Sequence, residues 1–168
     1  MRNATFFIGS CLVAVFCASA LGKSQDTCTA VQAHAAEDAV SIVSSWDDLY
    51  RKFLKYRHCD EGSIAEGFSD AVAQLLGNHW REKKKIESLI KKDAGFRAFI
   101  IRHINATLLL VQLEKIAQNA QENCSQGLET FCDEIIKAVD DARKDMPPRS
   151  ATITAPKPEL APDITKPH

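Results

Sequence analysis

The sequence predicts an all-α fold, a single irregular or orthogonal bundle of about five to six helices that is held by disulfides. Three observations support this prediction. Apolar residues recur at helical spacing through the middle of the chain. All six prolines lie after Met146, so nothing interrupts a helix before that point. No segment shows the apolar-polar alternation of a half-buried strand.

The N-terminus has the layout of a cleavable export signal. Arg2 precedes an apolar stretch from Phe6 to Ala20, and small residues follow the stretch. Cleavage after Ala20 or after Gly22 fits this layout. We therefore predict a signal peptide over residues 1–20, a periplasmic or secreted location, and no stable membrane span after cleavage, because the stretch is short for one.

The remaining chain divides into two parts. Residues 21–146 are predicted to form the helical domain, which has an ordinary size for one domain. Residues 147–168 contain the six prolines and few large apolar side chains. Such a segment cannot bury enough surface to offset its ordering entropy, so we predict a disordered, proline-rich tail.

Four cysteines follow the signal: Cys28, Cys59, Cys124 and Cys132. An even number in an exported chain favours disulfides. Cys124 and Cys132 flank a Ser-Gln-Gly turn between two predicted helices, so we predict that they pair, which leaves Cys28 for Cys59. A zinc site is the alternative, although no Cys-x-x-Cys motif occurs.

The first two predicted helices precede the polar segment at residue 58. An alanine-rich segment from Val31 to Val43 is predicted to be helical. The next helix has its apolar stripe at Trp46, Leu49, Tyr50, Phe53 and Leu54, with Ser45 before it as the N-cap.

The third predicted helix begins at Ser63, because Ser63 and Glu66 match a capping box, and it ends at Gly77-Asn78. Another runs from about Trp80 to Lys92. A short helix then carries Phe96, Phe99, Ile100 and Ile104. The last two begin after Thr107, taken as an N-cap, and after Gly127.

Candidate functional residues lie around the third of these helices. The most polar dense segment begins at His58 and contains Asp60 and Glu61, and Glu66 and Asp70 follow on the helix. We expect Asp60 and Glu61 to interact with the helix dipole. We expect Asp70, which flanks the apolar stripe, to be buried against Arg51, Arg102 or a backbone donor.

Aromatic residues suggest a second surface. His79 and Trp80, with Trp46 and Tyr56, are candidates for lining a ligand cleft, although tryptophans of helical domains are more often core anchors. The proposed ligand or partner surface therefore comprises His58, Asp60, Glu61, Glu66, Asp70, His79 and Trp80. His103 lies near the apolar face of its helix and is expected to be a hydrogen-bonded core or rim residue.

No motif predicts enzymatic chemistry. The histidines lie in no His-Glu-x-x-His motif, and no serine follows the Gly-x-Ser-x-Gly pattern. We therefore predict no catalytic residue, no metal and no cofactor. The chain carries 21 Lys and Arg against 22 Asp and Glu, which gives no strong basic footprint for nucleic acid.

Two stretches, SWDDLYRKFLKYRHCDEGSIAEGFSDAVAQLLGNHW and FIIRHINATLLLVQLEKIA, resemble small exported helical proteins of bacteria, over roughly Ser45 to Cys132. This resemblance implies a Gram-negative periplasmic setting and carries no activity. In size, export and cysteine use the chain is also similar, in type only, to periplasmic immunity proteins of secreted cell-wall toxins. No motif supports that second likeness, so no functional residue is transferred.

We expect an exported module that binds a protein partner in the periplasm, of immunity or inhibitor type. The alternative is a carrier that holds a small apolar ligand between its helices, suggested by the aromatic residues Trp46, Phe53, Phe68, Trp80 and Phe99. A third hypothesis, an enzyme, would use Glu66 and Asp70 as paired carboxylates, since they lie on one helix face at i and i+4.

Overall fold

A computed structural model describes residues 27–147, and the predicted signal peptide and almost all of the proline-rich tail lie outside these residues. The described part is all-α and contains no strand, which confirms the predicted fold class. Its seven α-helices are α1 (Ala30–Val40), α2 (Trp46–Tyr56), α3 (Gly62–Asn78), α4 (Lys83–Lys92), α5 (Ala94–Arg102), α6 (Leu110–Glu122) and α7 (Glu129–Asp145). Two 3-10 turns, Arg57–Cys59 and Trp80–Glu82, precede α3 and α4.

Helix α3 lies at the centre of the bundle. It packs against α1, α2 and α6, while α6 also packs along α7. Its two termini lie on opposite sides of the bundle, because 17 helical residues extend about 25 Å at 1.5 Å each. Features that lie before and after α3 are therefore well separated.

The core is built from the predicted apolar stripes. Phe53, Phe96 and Phe99 form a cluster with ring centroids 4.9–6.1 Å apart, and the ring of Phe68 meets that of Phe99 edge-on at 5.0 Å. These four rings are at most 3% exposed. Offset and edge-on arrangements of this kind add to the stabilisation from burial alone.

Both predicted disulfides are present. Cys28 pairs with Cys59, which ties the start of α1 to the 3-10 turn before α3. Cys124 pairs with Cys132 and ties the end of α6 to the first turn of α7. Since all four cysteines are paired, none of them is available for the alternative zinc site.

Two predicted helix starts are wrong, while the cap at Ser45 is confirmed by its bond from the Asp48 amide. Helix α3 begins one residue before Ser63, at Gly62, whose φ of +55° lets the chain turn into the helix. No side chain caps it. Thr107 does not cap α6, because the helix begins later, at Leu110, and the N-cap position is Leu109, whose amide donates to Gln112 Oε1.

Candidate functional site

The residues proposed from the sequence do not form one surface. His58, Asp60 and Glu61 precede α3, and His79 and Trp80 follow it. About 25 Å of helix separates the two groups. Glu66 and Asp70 lie between them on α3, and both are exposed. The structure therefore divides the proposed set into an N-terminal group, the exposed middle of α3 and a C-terminal group.

Asp60 belongs to a buried hydrogen-bond network rather than to a surface. Its Oδ2 lies 3.1 Å from His103 Nε2 and is also bonded by the Arg102 guanidinium. On the other side of the imidazole, Nδ1 lies 3.0 Å from Ser69 Oγ, to which Asn105 Nδ2 donates at 3.1 Å. We call these five residues the polar relay.

The relay joins the turn before α3, the middle of α3 and the end of α5, and its centre is closed to solvent while the Arg102 side chain is 62% exposed. The side chains of Asp60 and His103 are 4% and 3% exposed, and Ser69 is 1% exposed. Asp60 Oδ1 is buried without a hydrogen-bond partner among residues 27–147, so the carboxylate depends on Oδ2. Burial of this kind makes each bond expensive to lose.

The electrostatics of the relay keep Asp60 ionised. Burial raises the pKa of its carboxyl, but the hydrogen bonds and charges of His103 and Arg102 outweigh that effect and hold the pKa below its ordinary value of 3.8. An ionised carboxylate only accepts hydrogen bonds, so His103 Nε2 carries a proton. The expected interaction of Asp60 with the dipole of α3 stays a prediction, and the ion pair with Arg102 is an interaction that was not predicted.

Ser69 connects the imidazole to the backbone of α3. Its hydroxyl lies 3.0 Å from both His103 Nδ1 and the Ala65 carbonyl. A hydroxyl has one proton to donate and can also accept, so Ser69 can bond both neighbours and the Asn105 amide at once. Both ring nitrogens of His103 therefore have hydrogen-bond partners.

The three residue types of the relay are those of a serine hydrolase, but their arrangement is different. In such enzymes the imidazole presents Nε2 to the serine and Nδ1 to the aspartate, whereas here the two nitrogens are exchanged. Ser69 also lies inside α3 and is closed to substrate. The geometry is that of a structural network that joins helices.

His103 behaves as sequence analysis expected, as a hydrogen-bonded core residue, whereas the role of Ser69 was not predicted. The one feature of the sequence that could have indicated the burial of Ser69 is its position next to Phe68, on the apolar side of α3. The expected burial of Asp70 is wrong. Asp70 is exposed, because Arg102 bonds Asp60 and Arg51 bonds Asp48.

His58 and Glu61 lie at a different depression. It has a volume of about 540 Å³ and runs beside the Cys28–Cys59 disulfide, with Ile64 in its wall. The depression is open to solvent, and apolar and polar groups alternate around it. None of the residues of the relay lines it, so the two features at the N-terminal end of α3 are separate.

The outer face of α3 forms the floor of a groove between α1 and α6. Two depressions of about 370 and 420 Å³ meet there and share Asp70 and Gln74. We call them together the α3 groove. Its wall on the α6 side includes Val111, which is 66% exposed, and its wall on the α1 side includes Val40 and Glu37.

A third depression continues the groove beyond the end of α3. It has a volume of about 690 Å³ and shares Gly77, Asn78 and Lys115 with the groove. Arg81 and Lys83 also line it, and no carboxylate of the described residues does. We call this depression the basic cleft.

Charge changes sign along this continuous surface. At the end near α1, the wall contains the carboxylates of Glu37 and Asp70 and no Lys or Arg of the described part. At the other end, the basic cleft contains Arg81, Lys83 and Lys115. A bound molecule with opposite charges at its two ends would be attracted in one orientation.

The aromatic residues suggested for an apolar ligand cavity are packed in the core. Trp46, Phe53, Phe68 and Phe99 are at most 3% exposed and line none of the depressions described above. Trp80 lines the basic cleft, but it is 7% exposed, and its indole Nε1 donates to the Asn123 carbonyl at 2.9 Å.

Comparison of the chain with protein-family models, with curated proteins and with solved structures finds no match in any of the three. Within residues 27–147, no helix has the length and apolar character needed to cross a membrane. No cluster of three or more His, Cys, Asp or Glu side chains in the same residues is arranged to hold a metal ion.

Proposed function

We propose that this chain is an exported, disulfide-bonded module that binds a protein partner, of inhibitor or immunity type, and that the α3 groove receives a segment of that partner. The single observation that carries the proposal is the groove itself, a long open surface with an exposed apolar wall at Val111 and, in its half beside α1, the carboxylates of Glu37 and Asp70 without a Lys or Arg of the described residues. Such a surface suits a polypeptide better than a small enclosed ligand.

The chemistry of the groove defines the segment. Val111 offers an exposed apolar contact on the α6 wall, whereas Val40, on the α1 wall, is buried and only borders the groove. Glu37 and Asp70 call for a lysine or arginine beside the apolar residues of the segment. Two disulfides and a packed core are consistent with this role, because a rigid surface loses little entropy when it binds.

Site-specific photo-crosslinking in the exporting host tests the proposal. A photoreactive amino acid at Gln74, on the floor of the groove, should capture a partner protein. The same amino acid at Thr130, exposed in the first turn of α7, should not. The captured peptide, identified by mass spectrometry, should contain apolar residues next to a lysine or arginine.

A charge-reversal pair supplies the matched control. Asp70→Lys should abolish capture at Gln74, whereas Asp133→Lys should preserve it, since both aspartates are exposed on helices and neither forms an ion pair within residues 27–147. Capture that is equal at Gln74 and Thr130, or unaffected by Asp70→Lys, would contradict the proposal.

A further inference from the structure

None of the three cations of the basic cleft is paired with a carboxylate of the described residues. Arg81 and Lys115 form no ion pair with any residue of the described part. Lys83 donates only to a backbone carbonyl, that of Asn123. Three positive charges therefore share one concave surface without a carboxylate in its lining, and they repel one another until an anion binds.

The carbonyl groups that could compete for these cations already have other partners. Asn119 Nδ2 donates to the carbonyls of Leu76 and Gly77 at 2.8 Å, at the end of α3. The Asn123 carbonyl, at the end of α6, accepts from Trp80 Nε1 and from Lys83 Nζ. Three carbonyls at the ends of these two helices are thus bonded by other side chains, and neither Arg81 nor Lys115 bonds any of them.

We propose that the basic cleft binds an aspartate or glutamate side chain of the partner segment, an inference that rests on the proposed function. The planar guanidinium of Arg81 can bond a carboxylate through two N–H groups, and Lys115 adds a second charge. The side-chain amides of Asn78 and Asn123 also line the cleft and bond no described residue. Amides offer both donors and acceptors, which suits the backbone of a peptide better than a phosphate.

The continuity of the cleft with the α3 groove fixes the direction of the segment. Asn78 and Lys115 belong to both surfaces. The basic residue of the segment lies over Glu37 and Asp70, and the acidic residue lies over Arg81. Asp70 lies about 12 Å of helix before the end of α3 at Asn78, and Arg81 lies in the 3-10 turn beyond it, so at least about four extended residues separate the two charges of the segment.

Titration of the full mature protein with short peptides, followed by NMR, tests this inference. The probe is an end-blocked octapeptide with two lysines, four apolar residues and two glutamates, and its control has glutamines in place of the glutamates. The glutamate peptide should shift the amide resonances of Asn78, Lys83 and Asn119 and bind about fivefold more tightly than the glutamine peptide at low salt.

Variants locate the carboxylate. Lys115→Gln should weaken binding of the glutamate peptide about fivefold and leave the glutamine peptide unchanged. Lys84→Gln is the matched control, an exposed lysine outside the cleft, and should leave both unchanged. Equal affinity of the two peptides, or shifts confined to residues outside the cleft, would overturn the inference.

Two further outcomes separate the possible failures. Inorganic phosphate that binds the cleft more tightly than the glutamate peptide would also overturn the inference, because the ligand would then be a phosphate. If the two peptides bind equally while capture at Gln74 persists, the carboxylate subsite is wrong and the proposed function stands. If the glutamate peptide still shifts the resonances of the cleft but no partner is captured at Gln74, the proposed function is wrong instead.

Discussion

At the scale of single residues, the most constrained group of the described chain is the carboxylate of Asp60. It is 4% exposed, bonds His103 and Arg102 through one oxygen, and depends on them to remain ionised. Neither partner is near it in sequence, since they lie 42 and 43 residues further along the chain. The carboxylate therefore links the turn before α3 to the end of α5.

Replacing this carboxylate should destabilise the protein. We predict that Asp60→Asn lowers the free energy of unfolding by about 2 kcal/mol at pH 7, because a neutral amide loses the charge that strengthens both hydrogen bonds and leaves the Arg102 guanidinium without its counter-ion. Urea denaturation measures the change. Asp141→Asn is the control, since Asp141 also has a lowered pKa but is 46% exposed, and it should cost clearly less.

The effect of Asp60 should also depend on pH in one direction. Its pKa is lowered in the folded protein, so its contribution to stability is complete above the ordinary value of 3.8 and is lost as the pH falls through the folded pKa. The difference between wild type and Asp60→Asn should therefore shrink in denaturation curves below about pH 4. A constant difference from pH 7 to pH 2 would contradict this account.

At the scale of helices, the positions of the elements could be predicted, and so could the start of α2 at Ser45, whereas the starts of α3 and α6 could not. The spacing of Trp46, Leu49 and Phe53 is sufficient to locate α2, because burial selects one face of a helix wherever that face packs. The start of α6 was expected after Thr107, but Thr107 lies in a turn in which its amide and hydroxyl donate to the Asn105 side chain, and the helix begins at Leu110.

In the candidate site, too, features that follow from the sequence could be predicted, and contacts between distant residues could not. The separation of His58 from His79 follows from the length of α3, and the disulfide pairing follows from the placement of four cysteines. The bond between Ser69 and His103 could not be predicted, since the two residues are 34 apart and meet only because α3 and α5 approach each other. The α3 groove likewise depends on how α1 and α6 flank α3.

The approach of α1 to α3 requires a glycine. A Cβ added at Gly67 would lie 2.5 Å from Val40 Cγ2. We predict that Gly67→Ala lowers the free energy of unfolding by about 1–2 kcal/mol, although alanine by itself favours a helix by about 1 kcal/mol. Thermal and urea denaturation of the full chain give this value.

A second glycine of α3 provides the comparison. At Gly77 an added Cβ would lie 3.5 Å from Lys115 Cγ, an ordinary contact, so Gly77→Ala should be neutral or stabilising. In a Val40→Ala background, Gly67→Ala should cost less, because Cγ2 is absent. Equal effects of Gly67→Ala in both backgrounds would show that the helix contact is not the cause.

At the scale of the whole molecule, two disulfides hold opposite parts of the bundle and close chain segments of different length. Cys28 and Cys59 are 31 residues apart, and Cys124 and Cys132 are 8 apart. In each pair one cysteine is buried and the other is half-buried. The two bridges are therefore matched in burial and differ mainly in the loop that they close.

Because the two bridges are equally buried, a difference between their contributions to stability can be attributed to loop length. If the bridges act mainly on the unfolded chain, their contributions are about 3.7 kcal/mol for the longer loop and about 2.5 kcal/mol for the shorter one. Cys28→Ala with Cys59→Ala should therefore lower the free energy of unfolding by about 1 kcal/mol more than Cys124→Ala with Cys132→Ala. Urea denaturation of both variants measures the difference. The alanine substitutions also remove sulfur atoms from the folded protein, so wild-type protein in reducing buffer, which loses both bridges and no side chain, is the control.

Equal losses in the two variants, or a larger loss for the shorter loop, would show instead that the bridges act through contacts of the folded state.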